Sequence, residues 1–279
     1  VRISIITPSL RQSDWLKLCV ASVADQQCDI EHIVQDAGSD DGTLDWLCRD
    51  ARVKAFVEKD AGMYDAINRG FRRATGEILA YLNCDEQYLP GALVGVEQFF
   101  RQHPKVELVF GDVIIVDSKG DYLCHRKTQA PLLYHTWTCH LSTLTCATFF
   151  RRSVIDRGGF FNPDYRSGGD GEWMVRLLGK GTTMGALREF TSAFTRTGKN
   201  LGQEAVAKLE RARLRKTAPL WVRGLSPLWV AQHRLRRLFE GSYHQAPFRY
   251  ALYTLQSPNS RVTHQVEKPT FRCPDSSTA

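Results

Sequence analysis

A chain of 279 residues with 43% hydrophobic and 24% charged residues can bury a full core, and no apolar run in it is long enough to cross a bilayer. Its formal net charge of +7 is unevenly placed: from Lys208 to Arg237, nine Lys/Arg stand against a single acid, Glu210. The eight cysteines include no C-x-x-C pair, which argues against a structural zinc site, and with no secretory signal at the start the simplest compartment is a reducing cytoplasm that keeps thiols free.

Strands and helices alternate through the first part. Residues 3–6, Ile-Ser-Ile-Ile, predict a buried strand stopped at Thr7-Pro8-Ser9. Trp15, Leu16, Leu18, Cys19 and Val23 recur at helical spacing over 13–27, with Ser13 or Asp14 as N-cap. A second strand over 31–35 leads into the polar loop D-A-G-S-D-D-G-T at 36–43, where Asp40 and Asp41 suit caps and turns for a helix over 44–51. A third strand, 54–57, ends at Glu58-Lys59-Asp60-Ala61-Gly62. The stretch 64–75 is helical, with Ala66, Ile67, Phe71 and Ala74 on one face and Gly76 as C-cap. The fourth strand, 77–82, finishes in Asn83-Cys84-Asp85-Glu86.

This alternation predicts an α/β fold with a mostly parallel sheet flanked by helices, in which ligands bind at the carboxyl ends of the strands. Right-handed crossovers set the four polar ends along one edge. Adjacent carboxylates at Asp85 and Glu86 gain nothing from crowding in a turn but suit a hard divalent cation.

Beyond these elements the spacing predicts a helix over 92–102, one or two strands over 107–116, an irregular stretch over 121–147 and a buried strand over 147–152. Gly168-Gly169-Asp170-Gly171-Glu172 precedes an amphipathic helix over 173–178. Glycines on both sides of Asp170 favour mobile backbone beside a substrate over a bare N-cap, and Glu172 is better explained as a first-turn acid. Asp112 suits an acceptor-facing position and a strand-end turn equally. His125, His135 and His140, with Cys124, Cys139 and Cys146, are too irregularly spaced for a metal motif and read as ordinary packing. A basic helix from Gln203 to about Thr217, then Trp and Leu interleaved with Arg, makes an amphipathic helical extension over 201–256. It suits an anionic membrane surface better than nucleic acid, for which no aromatic-basic sheet motif is present. Residues 257–279 read as a polar, weakly ordered tail.

The runs K-D-A-G-M-Y-D-A-I-N-R-G at 59–70, A-T-G-E at 74–77 and L-N-C-D-E at 82–86 combine with Thr7-Pro8-Ser9 and the 36–43 loop at matching distances. Together they resemble the family 2 inverting glycosyltransferases of GT-A (Rossmann-like) fold, and within these the colanic-acid-type transferases of bacterial surface polysaccharides. The resemblance spans about residues 1–200, implying a nucleotide-sugar half to about 118 and an acceptor half over 119–200. It implies metal-dependent transfer of a sugar from a nucleotide diphosphate sugar to a hydroxyl of a carbohydrate or lipid-linked acceptor, in surface polysaccharide or glycolipid assembly. The enzyme would be cytoplasmic, peripheral on the inner face of the membrane, and would bind no nucleic acid.

By the same resemblance Thr7, Pro8 and Ser9 line the nucleotide pocket, Asp36 meets the base edge and Asp60 the base or ribose. Asn83 and Cys84 belong to the same donor-binding loop. Asp65 and Asn68, one helical turn apart, either touch the ligand or fix their helix to the loop. Asp85, the last residue of the D-x-D motif, holds Mg²⁺ or Mn²⁺ with Glu86 as a further candidate ligand, and Asp170 is the catalytic base. Asn83 departs from the family's first Asp, and Glu86 stands where a second Asp is usual. Chemistry asks for this division: a cation offsets the charge of the departing diphosphate, and a separate carboxylate takes the proton of the attacking hydroxyl. Without G-x-G-x-x-G after the first strand a dinucleotide oxidoreductase is excluded, and without a Gly-rich basic loop there a sugar nucleotidyltransferase is too. The remaining alternative is a non-catalytic nucleotide-sugar or glycan-binding protein on the same fold.

Overall fold

Near-continuous apolar runs at the front of the chain make strands buried on both faces, as a parallel sheet between helices requires. The computed structural model describes residues 1–198 and 205–274. It opens with β1 (Ile3–Ser9), α1 (Ser13–Ala24), β2 (Ile30–Asp36), α2 (Thr43–Leu47), β3 (Lys54–Val57), α3 (Met63–Arg73) and β4 (Ile78–Tyr81). Strands β3, β2, β1 and β4 lie side by side, all parallel.

Two local details differ from the sequence expectation. The start of α1 is held by Asp41, whose Oδ2 accepts the Ser13 N–H at 3.0 Å, rather than by a cap from Ser13 or Asp14. Ala74, not Gly76, caps α3. Gly76 is required instead because a Cβ there would stand 2.7 Å from the Ser4 backbone nitrogen.

The second part runs β5 (Glu86–Tyr88), α4 (Ala92–Gln102), β6 (Leu108–Asp117), β7 (Tyr122–Arg126), α5 (Leu133–Thr138), a 3₁₀ turn (Thr145–Ala147), β8 (Thr148–Arg151), α6 (Ser153–Asp156), α7 (Gly169–Gly179) and β9 (Met184–Arg196). The sheet continues from β4 through antiparallel β8 to β6, β9 and β5, with β7 beside β6. The 121–147 stretch is therefore partly regular. Long β9 has no clean period-two pattern, because its register with β6 shifts on either side of Asp112 and throws its side chains out of alternation.

Alternate residues of the central strands feed two cores. Ile3, Ile5, Ile78 and Ala80 pack with Cys19 and Val23 of α1 and Leu93 and Val96 of α4. Ile6, Leu79 and Tyr81 pack with Ile67 and Phe71 of α3 and Trp173, Met174 and Leu177 of α7. Helices α3 and α7 thus share one face, which brings Tyr64 beside Asp170.

The extension comprises α8 (Ala205–Thr217), α9 (Leu220–Gly224), α10 (Ser226–Phe239), β10 (Phe248–Thr254) and β11 (Ser257–Val266). The expected helix start at Gln203 and the domain boundary at 200/201 lie outside the described residues, as do 275–279. The expected polar tail is instead largely an antiparallel hairpin, β10–β11. Its Tyr250, Leu252 and Val266 pack on Leu89, Ile114, Val116 and Ala193, while most of the polar residues of β11 face outward and disguise the strand. Arg261 fastens the hairpin to Asp25 of α1 at 2.6 Å. Nor are all thiols free: Cys124 of β7 is bridged to Cys273, 149 residues away, a pairing that a reducing compartment does not favour and that scattered spacing could not reveal. Cys48, just after α2, is exposed.

Candidate active site

The four parallel strand ends are bonded to one another. Asp36 at the end of β2 is fully buried; its Oδ2 accepts from the Ser9 and Ser39 hydroxyls at 2.8 Å each, and its Oδ1 from the Gly38 and Ser39 N–H groups at 2.9 and 2.7 Å. The Glu58 N–H reaches back to the Asp36 carbonyl at 2.9 Å, joining the end of β3. The Cys84 thiol donates to the Pro8 carbonyl at 3.3 Å, joining the loop after β4. Pro8 and Ser9 therefore stand at this rim. The Thr7 side chain does not: it is turned into the core against His32 Nε2 at 2.9 Å, and burial drops that imidazole to about 3, leaving it neutral.

Asp60 is half-buried on the same rim and accepts the Gly62 N–H at 2.9 Å, with Gly62 at a φ of 129° that favours glycine. Burial raises its carboxyl, against that hydrogen bond, and the Asp65 and Asp36 charges add to the rise. Asp65 and Asn68 are held in structural work. Asp65 accepts the Ala61 N–H at 3.1 Å and Arg69 at 2.8 Å. Asn68 exchanges two hydrogen bonds with the Phe161 backbone, 2.8 and 2.9 Å, and so ties α3 to the segment before α7.

Asp85 is half-buried in the loop between β4 and β5, and Glu86 beside it is fully buried at the start of β5. The Glu86 carboxylate turns back to accept the Asn83 N–H at 2.8 Å, bracing the loop from behind. Burial raises the Asp85 carboxyl; burial and then the Asp85 charge raise that of Glu86. Two carboxyls brought together at a strand end offer an all-oxygen donor set of the kind that fits a hard divalent ion.

Asp170 lies inside the first turn of α7 rather than ahead of it. Its N–H donates to the Tyr64 hydroxyl at 3.1 Å, that hydroxyl donates to the Ser167 carbonyl at 3.1 Å, and the Gly171 N–H donates to its Oδ1 at 2.8 Å. A Cβ on Gly169 would come within 2.6 Å of the Tyr64 ring, so only glycine lets the two elements meet. Burial pushes the Asp170 carboxyl up to about 6, a value suited to a base working near neutrality. Buried Tyr81, at the end of β4, packs with Tyr64 and Trp173 in the core shared by α3 and α7, and its phenol is raised by burial, by Tyr64, by the Asp170 charge and more weakly by Glu86. Glu172 is paired with Arg176 at 3.0 Å, one turn along α7.

A family model described as Glycosyl transferase family 2 matches residues 4–159, which contain the whole rim. The chain belongs to the family 2 glycosyltransferases. It is 34% identical over 186 residues to a PGL/p-HBAD biosynthesis glycosyltransferase of Mycobacterium bovis, covering 63% of this chain and 69% of that one. An uncharacterized glycosyltransferase of Mycobacterium tuberculosis is 37% identical over 182 residues, covering 62% and 68%. The crystal structure of Staphylococcus aureus TarS 1-349 in complex with UDP-GlcNAc superposes with a TM-score of 0.58 at 16% identity, over 79% of this chain and 68% of that one. The corresponding complex with UDP gives 0.57 at 15% identity, over 86% and 72%. Another TarS 1-349 structure gives 0.53 at 14% identity, and this chain spans 60% of its length. These structures share the GT-A fold with it.

Several residues of this glycosyltransferase site are not singled out by the sequence. Tyr64 and Tyr81 look like ordinary core aromatics. Glu210 carried a signal, as the one acid in the basic run. From α8 its carboxylate accepts the backbone N–H groups of Arg166, Ser167 and Gly168 at 2.7, 2.9 and 2.7 Å, holding the turn that delivers Asp170. Burial would raise Glu210, but these three bonds outweigh it and lower its carboxyl. Glu210→Ala is expected to cut kcat about 10- to 100-fold, the scale of a slightly misplaced catalytic group, with donor KM nearly unchanged and partial recovery in Glu210→Gln. Steady-state kinetics check this; a rise in donor KM alone would contradict it. Asp112 sits mid-strand in β6, accepts the Thr128 N–H at 2.7 Å, and lines a cavity of about 440 Å³ with Lys127, Arg188 and Glu240 but no rim residue.

Proposed function

We propose that this glycosyltransferase moves a sugar from a nucleoside diphosphate sugar, with inversion, to a hydroxyl of a carbohydrate or lipid-linked acceptor in surface polysaccharide or glycolipid assembly. The observation that carries the proposal is the joining of four parallel strand ends into one rim by the Ser9–Asp36, Glu58–Asp36 and Cys84–Pro8 hydrogen bonds, with Asp85 and Glu86 in the loop that follows and Asp170 of α7 tied to Tyr64 of α3. Pro8, Ser9 and the loop ordered by Asp36 frame the nucleotide end, and Asp60 is the rim carboxylate for base or ribose. Asp85, with the Asn83 side-chain oxygen, would hold Mg²⁺ or Mn²⁺, while Glu86 braces the loop from behind through the Asn83 N–H. When bound, such an ion supplies positive charge opposite the departing diphosphate. Asp170 takes the proton of the acceptor hydroxyl as it attacks the anomeric carbon from the face opposite the leaving group, which inverts that centre in one displacement.

The TarS complexes with UDP-GlcNAc and UDP make uridine nucleotides the first probes. Incubating the protein with UDP-, GDP- and dTDP-sugars, with Mn²⁺ or with chelator, is expected to consume one donor class only when metal is present. NMR of the glycoside formed with a competent acceptor should report the opposite anomer. Donor turnover indifferent to chelation, or a product of retained configuration, contradicts the proposal.

Among the described residues no helix is long and apolar enough to cross a membrane. Yet α8–α10 expose Leu209 at 71%, Leu220 at 79% and Phe239 at 84%, with Trp221, Leu225, Leu228, Leu235 and Leu238 also exposed among Arg223, Arg234 and their basic neighbours. Burying such side chains while keeping Arg in the headgroups suits peripheral docking on an anionic bilayer, where a lipid-linked acceptor would be met. Sedimentation with anionic phospholipid vesicles should fall at least about tenfold in a Leu220→Glu/Phe239→Glu variant, since each large apolar group is worth about 1.5–3 kcal/mol when buried. Unchanged sedimentation would remove membrane docking from the account.

A further inference from the structure

Three histidines from distant parts of the sequence, none of them among the residues assigned to transfer, meet in the fold: His135 in α5, His140 just after α5, and His233 in α10. Their ligand atoms all lie within 4.8 Å of one another. His135 and His233 are buried, with ring centroids 4.2 Å apart; His140 is exposed and approaches His135 edge-on at 4.7 Å. The His135 Nδ1 is buried without any hydrogen-bond partner, an exception that calls for a cause in a folded protein. Burial lowers all three rings from their ordinary value, so each presents a neutral imidazole with a lone pair.

From this geometry we infer a second metal site, held by His135, His140 and His233, for a borderline transition ion of the Zn²⁺ class. Neutral nitrogen donors without a carboxylate suit Zn²⁺, Co²⁺ or Ni²⁺ and are poor ligands for Mg²⁺ or Ca²⁺, the converse of the oxygen set at Asp85. Zinc–nitrogen bonds of about 2.0–2.1 Å put tetrahedral ligand atoms about 3.3 Å apart; the His135 and His233 rings are stacked at an interplanar angle of 21°, so one of them must turn about its side-chain torsions for both in-plane lone pairs to meet one ion. Four arginines, Arg211, Arg234, Arg236 and Arg237, bring positive charge toward these rings. Two of their heads are engaged elsewhere: Arg236 donates to the Ala130 carbonyl at 3.1 Å, and Arg237 lies over the Tyr243 ring at 4.8 Å. The surrounding charge favours water-derived hydroxide or another anion at the fourth position beside exposed His140. Joining α5 to α10, the ion clasps the extension to the catalytic domain, and α5 in turn packs against α7.

The test uses the full chain stripped with chelator, then held in excess Mg²⁺ to occupy the oxygen site and titrated with ZnCl₂ alone. Calorimetry is expected to give one Zn²⁺ per chain with micromolar or tighter affinity, together with a rise in melting temperature. Co²⁺ should develop the visible bands of a tetrahedral nitrogen site. His140→Gln alters an exposed side chain and should fold normally by circular dichroism, yet weaken Zn²⁺ binding at least tenfold and abolish the cobalt bands; His233→Gln should do the same. No Zn²⁺ bound by the unaltered chain, or undiminished binding in His140→Gln, overturns the site.

Discussion

Asp170→Asn is expected to lower kcat by about a thousandfold while donor KM stays within about a factor of two, because a positioned general base is worth about 10²- to 10⁴-fold. Asparagine is nearly isosteric and can still accept the Gly171 N–H, and the Tyr64 contact is made by backbone, so the first turn of α7 should keep its shape. What is lost is the capacity to take a proton. The pH dependence follows with a definite sign. Because burial pushes this carboxyl up to about 6, it is protonated and inactive below that pH and ionised above it. The kcat/KM of the unaltered enzyme should therefore climb with pH through about 6, and the variant should lack that limb. A variant of undiminished kcat would remove Asp170 from the chemistry.

Asp85→Ala should be equally severe by a different route. If Asp85 holds the ion as proposed, losing its carboxylate removes charge compensation worth several kcal/mol at the departing diphosphate, so turnover should drop about a thousandfold and excess Mn²⁺ should not restore it. The loop itself should survive, because Cys84 remains bonded to Pro8 and Glu86 to the Asn83 N–H. Glu86→Gln is the informative companion. Because burial and the Asp85 charge raise the Glu86 carboxyl to about 8, it is largely protonated near neutrality, so neutral glutamine, which can still accept the Asn83 N–H, should leave the protein about as stable while costing much less activity. If Glu86→Gln proved the more damaging of the two, the ligand assignment would have to be exchanged.

The donor half was legible because its signals are local. Apolar runs, helical periodicity and polar strand ends all fall within a few residues, and parallel crossovers leave little freedom in where those ends meet. Residue roles within the rim were less legible. Thr7 and Asn68 carry groups that could meet a ligand, but His32, 25 positions from Thr7, and the Phe161 backbone, 93 positions from Asn68, claim them first. The C-terminal part was misread for the same reason. Strand β11 shows mostly polar residues because one face is solvated, and the core that the β10–β11 hairpin covers, Leu89, Ile114, Val116 and Ala193, lies far away in sequence. Glu210 looked like a lone acid in a basic helix until three backbone N–H groups of another segment were found on it. The histidines at 135 and 140 do pack, as their irregular spacing suggests, but the ring they share, His233, stands 93 residues beyond His140 and could not be read from that spacing.

The most direct test of the account is the affinity for UDP, measured calorimetrically with and without Mn²⁺, in the unaltered protein and in Asp85→Ala. The account predicts that Mn²⁺ tightens UDP binding at least about tenfold in the unaltered protein, as a divalent ion bridging carboxylate and diphosphate requires, and that Asp85→Ala erases this gain. UDP binding that is the same with and without the ion, or a gain that survives in Asp85→Ala, would contradict it.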